Sequence, residues 1–167
     1  MAEATTRISR WRLFRTPESA GAIYGTIAAM AVIAGTAKNP EHGKALTLTI
    51  ATLFVFWLAH VYAHALAHHL RGAKRLDWSA VRVAMAEEWS LLQGPVPLLV
   101  LLVLGELGVL EERQAVRLAL WLGVVELVTW ATLYARRQSW PWVTALTAGA
   151  INGVFGLIIV ILEVAVH

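Results

Sequence analysis

Apolar residues along this chain fall into five long blocks, separated by short segments that hold most of the charges. Ser19–Ala37 runs 19 residues without a charge, and Ala45–Leu70 runs 26 with histidine as its only charge-bearing side chain. Leu91–Leu110 (20 residues), Leu118–Ala135 (18) and Pro141–Ala165 (25) contain one acid each, Glu106, Glu126 and Glu163. A helix needs about 20 apolar residues to cross a bilayer. The pattern therefore predicts an all-α, polytopic integral membrane protein with five transmembrane helices. Continuous apolar runs do not fit a β-barrel, whose strands alternate over about ten residues.

The segments between the blocks carry further pattern. In Arg71–Ser90, Asp77 can cap a helix, and Trp78, Val81, Met85, Trp89 and Leu92 recur at helical spacing. This predicts an amphipathic helix over Asp77–Gln93, lying on the cytoplasmic surface and running into the third span. Gly94, Pro95 and Pro97 should kink or break that junction. Residues 1–18 form a basic N-terminal segment with Ile8, Trp11 and Phe14 among four arginines, which suits an interfacial anchor. Residues 19–167 then form one transmembrane domain. The first span follows a basic region as a signal peptide would, but it is long for one and reads as a retained anchor.

Composition narrows the class. Of 167 residues, 58% are hydrophobic, 15% are charged and none is cysteine, and mean hydropathy is +0.62. These values exclude a soluble enzyme, a nucleic-acid-binding domain and a disulfide-stapled secreted domain. The net charge of +3 reports topology. Ten basic residues fall on one side: Arg7, Arg10, Arg12 and Arg15; Arg71, Lys74, Arg75 and Arg82; Arg136 and Arg137. Four fall on the other: Lys38, Lys44, Arg113 and Arg117. Positive-inside puts the N-terminus in the cytoplasm and the C-terminus outside. Arginine outnumbers lysine eleven to three, a balance in keeping with a GC-rich bacterial genome and a bacterial inner membrane.

The second span holds the most informative residues. His60, His64 and His68 are spaced i, i+4, i+8, so they form one helical stripe about 12 Å long. His69 points to the opposite side. The stripe falls in the cytoplasmic half of the span, with His60 inside the hydrocarbon and His68 near the headgroups. Imidazole can ligate Zn²⁺ or another divalent metal, relay protons, or hydrogen-bond a neighbouring helix. Glu87 and Glu88 enter the third span at about the height of His64 and His68. Glu88 borders the apolar stripe and Glu87 points away, so Glu88 is the expected inward acid. The metal-ligand candidates are His60, His64, His68 and Glu88. Without cysteine, any metal site must use nitrogen and oxygen ligands.

Glu126 lies near the middle of the fourth span, beside Thr129, Trp130 and Thr132. An intramembrane carboxylate is a functional candidate; it could accept protons, bind a cation, or lock helices together in protonated form. Asn152 on the fifth span could line a pore or hydrogen-bond Glu126. Glu106 and Glu163 lie near the outer ends. Ala145, Gly149 and Gly153, like Gly21, Gly25 and Ala29, form small-residue faces that let helices pack closely. Trp11, Trp78, Trp89, Trp121, Trp140 and Trp142 fall near interfaces, as an aromatic belt does.

Several activities lack their motifs. There is no phosphate-binding glycine loop for an ATP-driven pump, no Thr-Val-Gly-Tyr-Gly filter, and no lysine within a span for a retinal Schiff base. His64-x-x-x-His68-His69 matches one histidine box of membrane desaturases, but His42 and His167 cannot supply the others. The stretch Trp57-Leu58-Ala59-His60-Val61-Tyr62-Ala63-His64, with Glu87-Glu88-Trp89 and Asn152-Gly153-x-x-Gly156-Leu157, resembles small polytopic integral membrane proteins of actinobacterial type. The resemblance implies a bacterial membrane address and assigns no catalytic residue.

The leading expectation is a homo-oligomeric channel or transporter for a small cation, either H⁺ or a divalent metal. His60, His64 and His68 would form the relay or ligand row, Glu88 the cytoplasmic mouth, and Glu126 and Asn152 the deeper polar groups. No cofactor is required. Five helices make a thin bundle, so an oligomer is expected, with the small-residue faces as candidate contacts. The alternatives are a membrane metalloprotein, enzymatic or haem-binding, and an accessory subunit whose histidines only tie helices together.

Overall fold

The computed structural model describes residues 19–37, 44–70 and 78–166, with side-chain placement for all of these except 19, 68–70, 79–80 and 166. The basic segment 1–18, Asp77 and the arginines and lysine of 71–75 lie outside the described residues. All regular structure in the described residues is helical. The helices are α1 (Ser19–Thr36), α2 (Lys44–Leu70), α3 (Trp78–Glu87), α4 (Trp89–Gln93), α5 (Val96–Glu106), α6 (Glu112–Arg137) and α7 (Trp142–Val166).

The apolar blocks map onto these helices, but not onto five equal spans. α2, α6 and α7 are each long and apolar enough to cross a membrane. The apolar helix Ala20–Thr36 is shorter; at 1.5 Å per residue it covers about 26 Å. The third block is broken. Val81–Gln93 and Val96–Glu106 meet at a bend of 55°, where Gly94 and Pro95 stand as the sequence predicts. Pro95 and Pro97 have no N–H to give to the carbonyls of Leu91 and Gln93, so the ladder cannot run through. α5 alone is about 16 Å long, roughly half the hydrocarbon thickness.

The expected amphipathic helix is interrupted as well. α3 ends at Glu87, and Glu88 occupies a turn before α4. Val81, Met85 and Leu92 pack against the core, whereas Trp78 and Trp89 are half or more exposed. The α5–α6 turn closes on Gly108 at φ 70°, with Val109 N–H donating to Leu104 O at 3.0 Å. This is the left-handed helix stop that glycine favours. Ser139 takes that role after α6, at φ 62°, and Trp140 N–H donates to Ala135 O at 3.1 Å.

α1 is the hub. It packs against α2, α4, α6 and α7, and Ala22, Thr26, Ala29, Met30 and Ile33 on it are fully buried. The small residues explain how helices come so close. A side chain at Gly21 would strike Ser90, one at Gly25 would strike the Leu91 backbone, and one at Gly94 would strike the Ala22 backbone. On α7, Gly149, Gly153 and Gly156 lie against Val128, Thr132, Leu127 and Val124 of α6. The small-residue faces expected to join subunits are thus occupied within the chain. Much of the outside is apolar, including Phe54, Val55 and Leu58 on α2 and Val154, Phe155 and Ile161 on α7, as suits contact with acyl chains.

Candidate functional site: a histidine between two carboxylates

On α2 the buried face runs Thr49, Leu53, Trp57, Val61 and Ala65. His60 and His64 flank that face rather than lie on it. His60 is half-buried, its ring 5.2 Å from that of Tyr24 on α1. Its Nδ1 lies 2.8 Å from Phe56 O, one turn back on the same helix. A carbonyl only accepts, so Nδ1 carries a proton, and in the neutral ring Nε2 keeps its lone pair. His68 belongs to α2, but its side chain is outside the described residues.

His64 is held differently. Its Nδ1 lies 3.2 Å from Glu88 Oε1, and its Nε2 lies 3.1 Å from Glu87 Oε2. A neutral imidazole donates through one nitrogen only, so both contacts are hydrogen bonds when one further proton sits on the ring or on a carboxylate. The two acids come from the α3–α4 junction, at the height the sequence predicts. Glu88 is the more enclosed, with 20% of its side chain exposed against 38% for Glu87. The expectation that Glu87 points away is corrected. Neighbouring side chains on a helix diverge by about 100°; both acids reach one ring because each meets a different nitrogen of it.

Among the described residues, the metal candidates His60, His64 and Glu88 do not converge on one point. The ring nitrogens of His64 face opposite ways, each toward its own carboxylate, so one ion could take only one of those pairs. His60 uses Nδ1 on its own helix. Among the described residues, no group of three or more His, Asp or Glu side chains is placed to hold one metal ion.

Glu126 occupies a different part of the fold. It is buried on α6 and accepts a hydrogen bond of 3.4 Å from Thr26 Oγ1 on α1. That is long for an O–H···O contact. Thr129 and Thr132 turn back to Val125 O and Val128 O, both at 2.7 Å. Asn152 donates to Ala148 O on its own helix at 3.0 Å, so it is not the Glu126 partner that the sequence allows. Glu106 is exposed and Glu163 half-buried.

Tyr24 and Thr26 fix the relation between the two polar regions. Residues two apart on a helix point about 200° apart and differ by about 3 Å in height. α1 therefore faces His60 with Tyr24 and Glu126 with Thr26, at nearly one level. The histidines and Glu126 do not form a single file; α1 stands between them. One further polar group was not foreseen. Trp57 Nε1 is buried without a hydrogen-bond partner among the described residues, and its ring meets Trp89 edge-on at 6.2 Å. Comparison of the chain with protein-family models, with curated proteins and with solved structures gives no match in any of the three.

Proposed function

We propose that this chain is a bacterial inner-membrane protein that moves protons, as a channel or as the proton-coupled half of a transporter, with residues 1–18 cytoplasmic and five membrane passes. In that reading α1 and the bent α3–α5 unit supply the two passes beyond α2, α6 and α7. One observation carries the proposal: His64 has a carboxylate on each ring nitrogen. Such a ring can hand a proton to either carboxylate, which as the acid then donates back to the freed nitrogen, and this suits proton exchange.

The next acceptor is one turn deeper. In its neutral form His60, with Nδ1 bonded to Phe56 O, presents Nε2 as an acceptor about 6 Å further along α2. A proton leaving His64 can reach it through one intervening water. Glu126 lies apart from this path, on the far side of α1, where its bond to Thr26 joins α6 to α1. A homo-oligomer would pair through surfaces other than the glycine faces, which are already filled. A divalent cation is the other cargo considered; it would have to displace one of the carboxylates from His64.

The test is flux. Purified protein in liposomes with an internal pH-sensitive dye should pass protons down an imposed gradient. His64→Ala and the Glu87→Gln/Glu88→Gln pair should slow the flux about tenfold or more. A parallel assay with Zn²⁺ distinguishes the two cargoes. Flux no greater than in empty liposomes would overturn the proposal. A second reading is favoured by the contacts of His60 with Tyr24 and Phe56: an accessory subunit whose histidines fasten helices. It predicts lower thermal stability in the alanine variants and no change in flux.

A further inference from the structure

Helix α6 stops in a turn that gathers two arginines and two tryptophans at one corner. Ser139 at φ 62° reverses the chain. Its N–H donates to Arg136 O at 3.0 Å, and Trp140 N–H reaches back to Ala135 O at 3.1 Å. α7 starts at Trp142 and packs against α6. Both helices are long and apolar enough to cross a membrane. When they cross one, the corner between them lies at the level of the lipid headgroups.

Arg136 is fixed in this corner. Its Nη1 donates to Trp140 O at 2.6 Å, and its Cζ lies 4.2 Å from the centre of the Trp142 ring. A guanidinium has several N–H donors, so it can be held in this way and still meet an anion. Arg137 is exposed beside it. Residues 127–162 contain no Asp or Glu, so the hairpin supplies no counter-charge at this end. Glu126 is buried about 15 Å back along α6 from Arg136, and Glu163 stands near the far end of α7. Two arginines in the last turn also complement the α6 dipole, but that does not explain the tryptophans that flank them.

The corner joins two unlike surfaces. One is cationic, with planar donors that match phosphate oxygens. The other is apolar: Trp140, Trp142 and Val143 are all exposed, and indole rings favour the headgroup level. A partner that fits both brings a negative phosphate and acyl chains to the same point. A free phosphate lacks the chains. A zwitterionic lipid brings an ammonium that cancels the charge.

We propose that the α6–α7 corner binds one anionic phospholipid, with Arg137 and the remaining donors of Arg136 on its phosphate and Trp140 and Trp142 against its glycerol and upper acyl chain. Arg136 holds the turn as well as the lipid, whereas Arg137 serves the lipid alone. The inference rests on α6 and α7 crossing a membrane and not on proton movement.

The test offers the full chain, purified in mild detergent, equal amounts of phosphatidylglycerol and phosphatidylethanolamine. Native mass spectrometry reads the lipid retained. The native chain should prefer phosphatidylglycerol. Arg137→Gln leaves the Arg136 clamp in place and should lower that retention about fivefold. Arg137→Lys should restore most of it. Arg113→Gln/Arg117→Gln, at the other end of α6, should leave it unchanged. Equal retention of the two lipids by the native chain overturns the proposal, as does an unaltered preference in Arg137→Gln. A matching loss in Arg113→Gln/Arg117→Gln, or displacement of the lipid by millimolar glycerol phosphate, overturns it too. Proton flux is not read, so absent flux would remove the previous reading and leave this one standing.

Discussion

The molecule holds carboxylates in two settings that differ in almost every respect. Glu126 is buried between α6 and α1 and has one hydroxyl partner, Thr26. Glu87 and Glu88 stand at a helix break, partly exposed, and share one histidine. The first setting is made by close packing. Gly123 of α6 lies against Met30 of α1, and Gly25 of α1 lies against the Leu91 backbone, so helices meet with no room for water. The second setting is made by interrupting a helix. A buried acid can only be neutral or paired; an acid at an open turn can change partners. The difference is the basis for proposing exchange at the His64 cluster and helix association at the Thr26–Glu126 pair.

The largest expected effect comes from forcing the closed region open. Gly25→Val puts a side chain into the Leu91 backbone and against Pro95. Neither can move freely, so a loss of about 3 kcal/mol is expected, or roughly 6–12 °C in melting temperature for a chain of this size. Thermal denaturation in detergent, followed by size exclusion, measures it. Gly123→Ala meets the Met30 side chain instead, which is flexible and can shift. It should cost about 1 kcal/mol, near 3 °C. Equal losses in the two variants would contradict the distinction between backbone and side-chain contact.

Chemical labelling sharpens the comparison. A water-soluble carbodiimide should modify Glu87 and Glu88 in the folded protein and leave Glu126 unreacted until denaturation, as read by peptide mass spectrometry. Labelling of Glu126 at the same rate would show that α1 does not seal it. The smallest effect is expected from Thr26→Val. Its bond to Glu126 is long, and interhelical hydrogen bonds in membranes average about 0.6 kcal/mol. The melting temperature should fall by only about 2 °C, with proton flux unaltered.

Much of this arrangement was legible in the residues. Apolar blocks located α1, α2 and α7 closely and the later part of α6, which starts six residues earlier at Glu112, because lipid-level helices are defined by the length of an apolar run. Gly94, Pro95 and Pro97 marked the break, because proline cannot continue the hydrogen-bond ladder. Antiparallel neighbours put Glu88 at the height of His64. Glu87 was missed because helical spacing was read as allowing one inward acid, whereas the two nitrogens of the His64 ring face different ways and take one acid each. The separation of His60 from Glu126 was not legible either. It depends on α1 standing between α2 and α6, and periodicity says which face of a helix is apolar without saying which helix it meets. The glycine faces read correctly as packing surfaces, yet their partners are α4 and α6 of the same chain rather than another subunit.

The account rests on His64 exchanging protons with its two carboxylates. Proton flux through liposomes holding the native chain, set beside His64→Ala and Thr26→Val, tests it most directly. The expected result is flux in the native chain and in Thr26→Val, with about tenfold less or lower in His64→Ala. Equal flux in all three, or none above empty liposomes in the native chain, would contradict it.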